Sequence, residues 1–273
     1  MLLLSFIAIN ISAQTHRFIY EVNFKKDSTE NSVTKDYYHL DISSKEMQFY
    51  GRGYHETDSL ITHNIGFAEG NMPKFSTIIL HSFNSTEYTE IEALEFMSIK
   101  QIDEPKQSWT LINEKKKYDI YAVQKAETNW SGRKWTAWFA SEIPFQVGPQ
   151  KFHGLPGLIV ELYDSNKNYD FKLVKSNLLK NNIKSPLPEF MLSTAIAMNR
   201  EKYVKTKLNF YQDPLSFASN DFMTMTDDNW AIISDGTKVT KANFKEVREI
   251  QQRNIKKYNN PIELDKIIQY PNK

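Results

Sequence analysis

Apolar and polar residues alternate along the first two-thirds of the chain, which is the pattern of β-strands with one buried face. Within residues 17–24, every second residue from Phe18 to Phe24 is apolar, and residues 37–42 repeat the pattern from Tyr38 to Ile42. The same alternation predicts further strands at residues 46–50, 76–81, 88–97, 107–113, 118–127, 133–140, 158–163 and 169–173.

The connections between these segments are mostly too short for crossover helices, so the strands are expected to pair antiparallel as a meander. The last third has a different pattern. A helix is expected at residues 187–204, after Pro186 and Pro188. Residues 241–258 have near-helical apolar spacing, with Thr240 as a candidate cap, and residues 205–240 are expected to be loop-rich. The sequence therefore predicts a mainly β, α+β fold: a curved antiparallel sheet or half-barrel meander with C-terminal helices packed against it.

The N-terminus indicates export. Residues 2–9 are apolar and lead to Ser12-Ala13-Gln14, a pattern typical of a signal peptide over residues 1–13, although a buried first strand is the alternative. Residues 14–273 are then expected to form a single β-rich domain in the periplasm or at the outer membrane, with no transmembrane span in the mature chain. The sequence has no cysteine, which excludes disulfides and a lipid-modified cysteine.

The net charge of the chain limits the classes of partner that are expected. The 34 basic and 33 acidic residues nearly cancel, whereas a nucleic-acid-binding protein needs a concentrated basic surface. No nucleic-acid partner is therefore expected. No motif predicts a cofactor, and the six histidines show no metal-ligand spacing, so no metal site is predicted either.

A glycine-rich turn at residues 154–159, Gly-Leu-Pro-Gly-Leu-Ile, precedes one predicted strand. A phosphate loop would need a lysine and a following helix, and neither is present. Pro156 restricts Leu155 to extended geometry, and Gly154 and Gly157 permit unusual backbone angles, so a tight strand entry is the first interpretation. A ligand lying over the bare glycine backbone is the alternative. Gly148 and Pro149 just upstream complete the expected structural signature.

The strand at residues 133–140 carries large aromatic residues on both sides, because Trp135 and Trp138 fall on opposite faces. Either both faces are covered, one of them by the C-terminal helix, or one face is displayed to a ligand. The candidate ligand- or partner-binding residues are Trp135, Trp138, Phe152, Leu155 and Leu158.

The order of these segments resembles a known family. The run from Arg133 to Phe139, then Glu142-Ile143-Pro144, Gly148-Pro149 and the hexapeptide is similar to the central block of the GLPGLI family of bacterial envelope proteins, whose activity is not established. Asn260-Pro261-Ile262-Glu263-Leu264 is similar to that family's closing segment. The resemblance implies a Bacteroidetes-type envelope protein. Many members carry a cysteine near residues 122–124, and this chain has none there.

Two functions follow as hypotheses. The first is a non-enzymatic binding or accessory module for an apolar ligand or an envelope protein, favoured because apolar groups outnumber convergent polar groups around the signature. The alternative is an envelope hydrolase that uses Glu142, His153 or Asp164 as acid or base. No nucleophile motif supports the alternative.

Overall fold

The computed structural model describes residues 14–56, 77–94, 97–179, 186–216, 230–233 and 235–271. The predicted signal peptide at residues 1–13 lies outside these ranges. The predicted strands are present within them, in a large curved antiparallel sheet. The strands of the N-terminal half are β1 Thr15–Phe24, β2 Thr34–Ile42, β3 Glu46–Gly51, β4 Thr77–Ser82, β5 Tyr88–Leu94 and β6 Met97–Asp103. Those that follow are β7 Thr110–Tyr118, β8 Tyr121–Trp130, β9 Arg133–Ala140, β10 Leu158–Asp164 and β11 Tyr169–Leu179.

The antiparallel pairing is as predicted, but the strands do not form one uninterrupted meander. Strands β1 to β6 form one meander and β7 to β11 form another. The two are joined where β1 pairs antiparallel with β11. The prediction of a single strand at residues 88–97 was wrong, because β5 ends at Leu94 and pairs with β6 as a hairpin.

The sheet bends so far that its two ends approach each other. Strand β6 ends at Asp103 and β7 begins at Thr110, although the two strands lie near opposite ends of the sheet. Seven backbone steps span at most about 25 Å. The link also packs on the loop before β10, since Trp109 Nε1 donates to the carbonyl of His153 at 2.8 Å. The concave face is therefore enclosed on two sides.

Helices and short strands follow the sheet. They are α1 Pro186–Thr194, β12 Ile196–Ala197, α2 Arg200–Gln212, β13 Trp230–Ile232, β14 Lys238–Thr240 and α3 Phe244–Lys257. The predicted helix at residues 187–204 is two helices, interrupted where β12 pairs in parallel with β6. Residues 205–212 are helical rather than loop, and α3 matches the predicted C-terminal helix. Within the described ranges, no helix has the length and apolarity required to cross a bilayer.

The main core lies on the face of the sheet that carries the alternating apolar residues. Phe18, Tyr20 and Phe171 are buried there with Trp135 and Phe152. Tyr50 and Ile78 lie on the opposite face, where they pack with Met191 of α1. Both faces of the sheet are thus covered in its N-terminal half, which explains why aromatic residues occur on both sides of its strands.

The glycine-rich turn is a backbone feature. Gly157 has φ +152°, and a Cβ there would lie 2.2 Å from the carbonyl oxygen of Ala140. Gly154 has φ +88° with open space around it, and Gly148 packs directly under Ile159. After the turn, Leu158 enters β10 beside Ala140 of β9. Side chains at Gly157 would separate these two strands, so glycine is required by close approach.

Candidate functional site

A cavity of about 800 Å³ lies between the concave face of the sheet and the C-terminal segment. Strands β5 and β6 supply one wall, and α2 with residues 258–270 supplies another. Aromatic and aliphatic side chains, among them Trp130, Tyr169, Tyr203 and Ile262, share the lining with polar and charged side chains. This volume is in the range of small-molecule sites.

Lys151 is the most unusual residue of the cavity wall. Its side chain is 3% exposed, and its Nζ lies 2.6 Å from Glu90 Oε2, 3.0 Å from Asp103 Oδ2 and 2.5 Å from Glu263 Oε1. Lys266 Nζ also contacts Asp103 and Glu263, each at 2.5 Å. We call these five residues the inner network. Three carboxylates thus face two ammonium groups, and one negative charge is in excess.

The pKa values of the inner-network residues are shifted in different directions. Burial works to lower the pKa of Lys151, but attraction by Glu90, Glu263 and Asp103 outweighs it and raises that pKa. Burial raises the pKa of Glu90, despite the opposing attraction of Lys151. Burial also works to raise the pKa of Asp103, yet Lys151 and Lys266 together hold it below its usual value. Lys151 is therefore a permanent cation and a poor nucleophile.

A second charged pair lies farther along the cavity. Lys207 Nζ of α2 is 2.7 Å from Glu92 Oε1 of β5, and Tyr203 donates to Glu92 Oε2 at 2.5 Å. Burial works to raise the pKa of Glu92, but Lys207 outweighs this and lowers it. Most charges of the cavity wall are therefore already compensated by the protein. The pair also ties α2 to the sheet.

Arg133 holds the C-terminal segment against the sheet. Its guanidinium donates to the carbonyl of Ile262 at 3.0 Å, to that of Pro261 at 2.7 Å and to Asn260 Oδ1 at 2.6 Å. It also contacts Asp164 Oδ2 at 3.3 Å. These bonds place Glu263 beside Lys151, so Arg133 shapes the cavity without lining it.

The five predicted binding residues lie in the core rather than at this cavity. Trp135, Phe152 and Leu158 are fully buried, and the Trp135 and Phe152 rings are 4.7 Å apart. Leu155 is equally buried. Trp138 lies on the other face of β9, where Lys116 rather than the C-terminal helix covers its ring at 4.1 Å. None of the five lines the large cavity. A direct ligand role for them stays a prediction.

The three candidate catalytic residues are not gathered in one place. Asp164 lies opposite Trp135, whereas Glu142 follows Ala140 at the far end of β9, about 17 Å along the strand. Asp164 is 1% exposed at its side chain and is occupied by Arg133 and the backbone N–H of Tyr169. His153 Nδ1 lies 2.9 Å from the carbonyl of Lys151. Glu142 and Asp164 therefore cannot act on one substrate bond.

Sequence reasoning missed the inner network. Lys151 and Glu263 both occur in the segments that resemble the family, but nothing in their spacing indicates that they meet. Glu90 and Glu92 share one face of β5 with the buried Tyr88. Two acidic residues on the same strand face as Tyr88 were the sequence signal that could have indicated a charged site inside the sheet. Within the described ranges, no group of three or more His, Asp or Glu could hold a metal ion.

The chain is similar to a family of proteins of unknown function. The family model, described as "Protein of unknown function (Porph_ging)", matches residues 83–161. This range contains β5 to β9, the inner-network residues Glu90, Asp103 and Lys151, and the glycine-rich turn. The match fits a Bacteroidetes-type family. No curated protein matches the chain.

Solved structures of PNGF-II are similar in fold. The structure in space group P21 has a TM-score of 0.51 and 14% identity, covering 70% of this chain and 32% of PNGF-II. A second structure, in space group C2, has a TM-score of 0.48, 14% identity and coverage of 68% and 31%. The chain thus spans about a third of PNGF-II. At this identity the likeness concerns the fold alone.

Proposed function

We propose that this protein is an exported, non-enzymatic binding module whose ligand occupies the cavity between the concave face of the sheet and the C-terminal segment. The cavity itself carries the proposal. Its volume, about 800 Å³, suits a small molecule or a short chain segment. Its wall is assembled from strands, a helix and the C-terminal segment, which are held together by buried ion pairs and by Arg133.

Compensated charges support binding over catalysis. Lys151 and Lys207 are both held in ion pairs, so neither is a free base or nucleophile at neutral pH. Fixed polar groups in a wall that is otherwise aromatic and aliphatic orient a ligand without reacting with it. Export is part of the proposal because of the apolar N-terminal pattern and the envelope family that the sequence resembles. A partner protein could then deliver or receive the ligand.

Filling the cavity tests the proposal. Gln101 lines the cavity from β6, and its neighbour Lys100 does not line it. The protein would be purified from the envelope fraction of producing cells and analysed by native mass spectrometry for a retained small molecule. We expect wild type and Lys100→Trp to retain the same added mass, and Gln101→Trp to lose it.

Two results would contradict the proposal. One is a retained molecule in the Gln101→Trp variant at wild-type occupancy, since the cavity would then not be the site. The other is a combination of two negative results. Wild type retains no molecule, and an envelope extract raises the melting temperature of wild type no more than that of Gln101→Trp. Lys100→Trp controls for the effect of a new tryptophan on β6.

The second candidate function is a hydrolase that uses Glu90 and Asp103 rather than Glu142, His153 or Asp164. Glu90 and Asp103 both contact Lys151 Nζ, so their carboxylate oxygens are at most about 6 Å apart by these two distances. Burial raises the pKa of Glu90, whereas Lys151 and Lys266 outweigh burial at Asp103 and lower its pKa. Carboxyl groups shifted apart in this way form acid and base pairs in hydrolases. Hydrolysis of any envelope component by wild type, lost in Glu90→Gln at unchanged stability, would favour this candidate.

A further inference from the structure

The outer edge of strand β6 lies at the cavity. Gln101, Ile102 and Asp103 are consecutive in this strand, and all three line the cavity. Asp103 and Gln101 project to the concave face, whereas Ile102, which is paired with Thr89, projects to the opposite face. Residues that project to opposite faces have only the backbone edge of the strand in common. The cavity therefore extends along the edge of β6.

The chain itself already uses the first part of this edge. Strand β12 pairs in parallel with β6, and the N–H of Met198 then donates to the carbonyl of Lys100 at 3.0 Å. After Met198 the chain turns away into α2. Within the described residues, the rest of β6 has no neighbouring strand on this side.

The backbone groups of Ile102 point to the open side. The register between β5 and β6 is regular throughout, so the direction of the backbone groups repeats every two residues. The carbonyl of Lys100 points away from β5, toward β12, and the N–H and carbonyl of Ile102 therefore point the same way. No described residue forms a hydrogen bond with them from that side. Because the Ile102 side chain is 54% exposed, a ligand can approach this edge from solvent.

An extended peptide has the groups that this edge requires. Every second residue of a strand presents one N–H and one carbonyl to its neighbour, which is the pattern that Ile102 offers. Pro105, which has no N–H, closely follows the end of β6, so the open edge is only a few residues long. It is limited at its other end by β12. The edge therefore fits a short peptide rather than a long strand of a partner protein.

We propose that a short free peptide binds in the cavity as an added strand beside β6, where β12 ends. The proposal rests on the proposed binding function and names its ligand class. The peptide backbone exchanges hydrogen bonds with Ile102, and its alternate side chains project into the cavity. Aromatic and aliphatic residues of the lining, such as Tyr203 and Ile262, supply the surface on which these side chains pack.

Replacement of Ile102 by proline tests the backbone contact. Proline is tolerated in an edge strand where the N–H points outward, so Ile102→Pro should fold and melt close to the wild-type temperature. The probe is a mixture of capped pentapeptides of random sequence, from which the peptides that bind wild type are selected and identified by mass spectrometry. Their affinity for Ile102→Pro should be about tenfold weaker. Ile102→Thr keeps the N–H and should bind more tightly than Ile102→Pro.

Changes in the peptide test the same contact without changing the protein. Each selected pentapeptide would be resynthesised with a methyl group on one backbone nitrogen at a time. For an added strand, methylation should weaken binding at every second residue and have little effect at the residues between. Loss of affinity without this alternation would overturn the proposal, whether or not Ile102→Pro folds.

Other outcomes are equally decisive. Equal weakening by Ile102→Pro and Ile102→Thr would assign binding to the side chain, and failure of every pentapeptide to bind wild type would exclude a peptide site. A dimeric wild type that becomes monomeric in Ile102→Pro would make a second copy the occupant of the edge instead. If the molecule retained from the envelope is lost in Gln101→Trp but gives no peptide fragments in tandem mass spectrometry, the peptide is overturned and the proposed binding function stands.

Discussion

Two ion networks on opposite faces of the sheet, each built around a buried cation, show how differently charges can be used in one protein. The inner network joins Lys151 to carboxylates of β5, β6 and the C-terminal segment. An outer network of Arg17, Asp41 and Tyr50 joins three neighbouring strands on the face opposite Phe18. Arg17 binds Asp41 through two bonds of 2.7 Å, and Tyr50 donates to Asp41 at 2.8 Å.

The two networks differ in whether both oxygens of the central aspartate have hydrogen-bond partners. In the outer network both oxygens of Asp41 are satisfied, and the contacts join strands that already pair in the sheet. In the inner network one oxygen of Asp103 has no partner among the described residues, and the contacts join segments far apart in the chain. A fully paired carboxylate serves the fold, whereas the inner network leaves Asp103 Oδ1 without a partner in the wall of the cavity that we propose as the binding site.

The largest expected effect comes from Lys151→Met. This change removes the cation that Glu90, Asp103 and Glu263 share. Lys266 still pairs with Asp103 and Glu263, so we expect the free energy of unfolding to fall by about 4 kcal/mol. Urea denaturation measures this loss. Lys116→Met is the matched control, because Lys116 pairs with Glu161 while 37% exposed, and should cost about 1 kcal/mol or less. Equal losses in both variants would contradict a central role for the inner network.

Arg17→Met should have the next largest effect, about 3 kcal/mol, because it leaves one buried carboxylate that keeps Tyr50 as a partner. Unlike a change at the cavity, it should leave the occupancy of the retained ligand at the wild-type value, measured on protein that is at least nine-tenths folded (by the urea curve). Loss of ligand in folded Arg17→Met would remove the distinction between the two networks.

The smallest expected effect is a pH dependence that arises from a histidine on the outer face. His39 packs beside the outer network, and burial together with Arg17 and His55 lowers its pKa from 6.5 to about 3. The unfolded chain therefore binds a proton below pH 6.5 that the folded chain does not bind, so stability falls as the pH falls. Between pH 7 and pH 5 this contributes a loss of about 2 kcal/mol. His39→Asn should lose correspondingly less over the same interval in urea denaturation, and an identical loss would contradict the assignment.

The strands were predictable because burial of one face imposes a period of two on the local sequence. The exceptions have physical causes. The alternation continues beyond Leu94, so it concealed the end of β5 and the start of β6. The predicted helix at residues 187–204 gave no sign of β12, whose pairing with β6 depends on a strand almost a hundred residues earlier.

The candidate site was less predictable than the fold. Aromatic and apolar residues near the glycine-rich turn were predicted to form a binding surface, yet Trp135, Phe152 and Leu155 are core residues. Period and composition indicate that a side chain is apolar enough to be buried, but not whether a ligand or the protein itself buries it. The glycine-rich turn was different, since the need for glycine at Gly157 arises from its immediate neighbour strand.

By itself the sequence determined most strands of the main sheet, which faces of them are apolar and where the backbone requires glycine, because all three depend on neighbours along the chain. Only the tertiary structure decided that β1 pairs with β11, that the sheet bends around a cavity and that Lys151 meets Glu90 and Glu263. These contacts join residues far apart in the chain. Their energies depend on strand register and on exclusion of water, and both arise only when the sheet closes over the C-terminal segment.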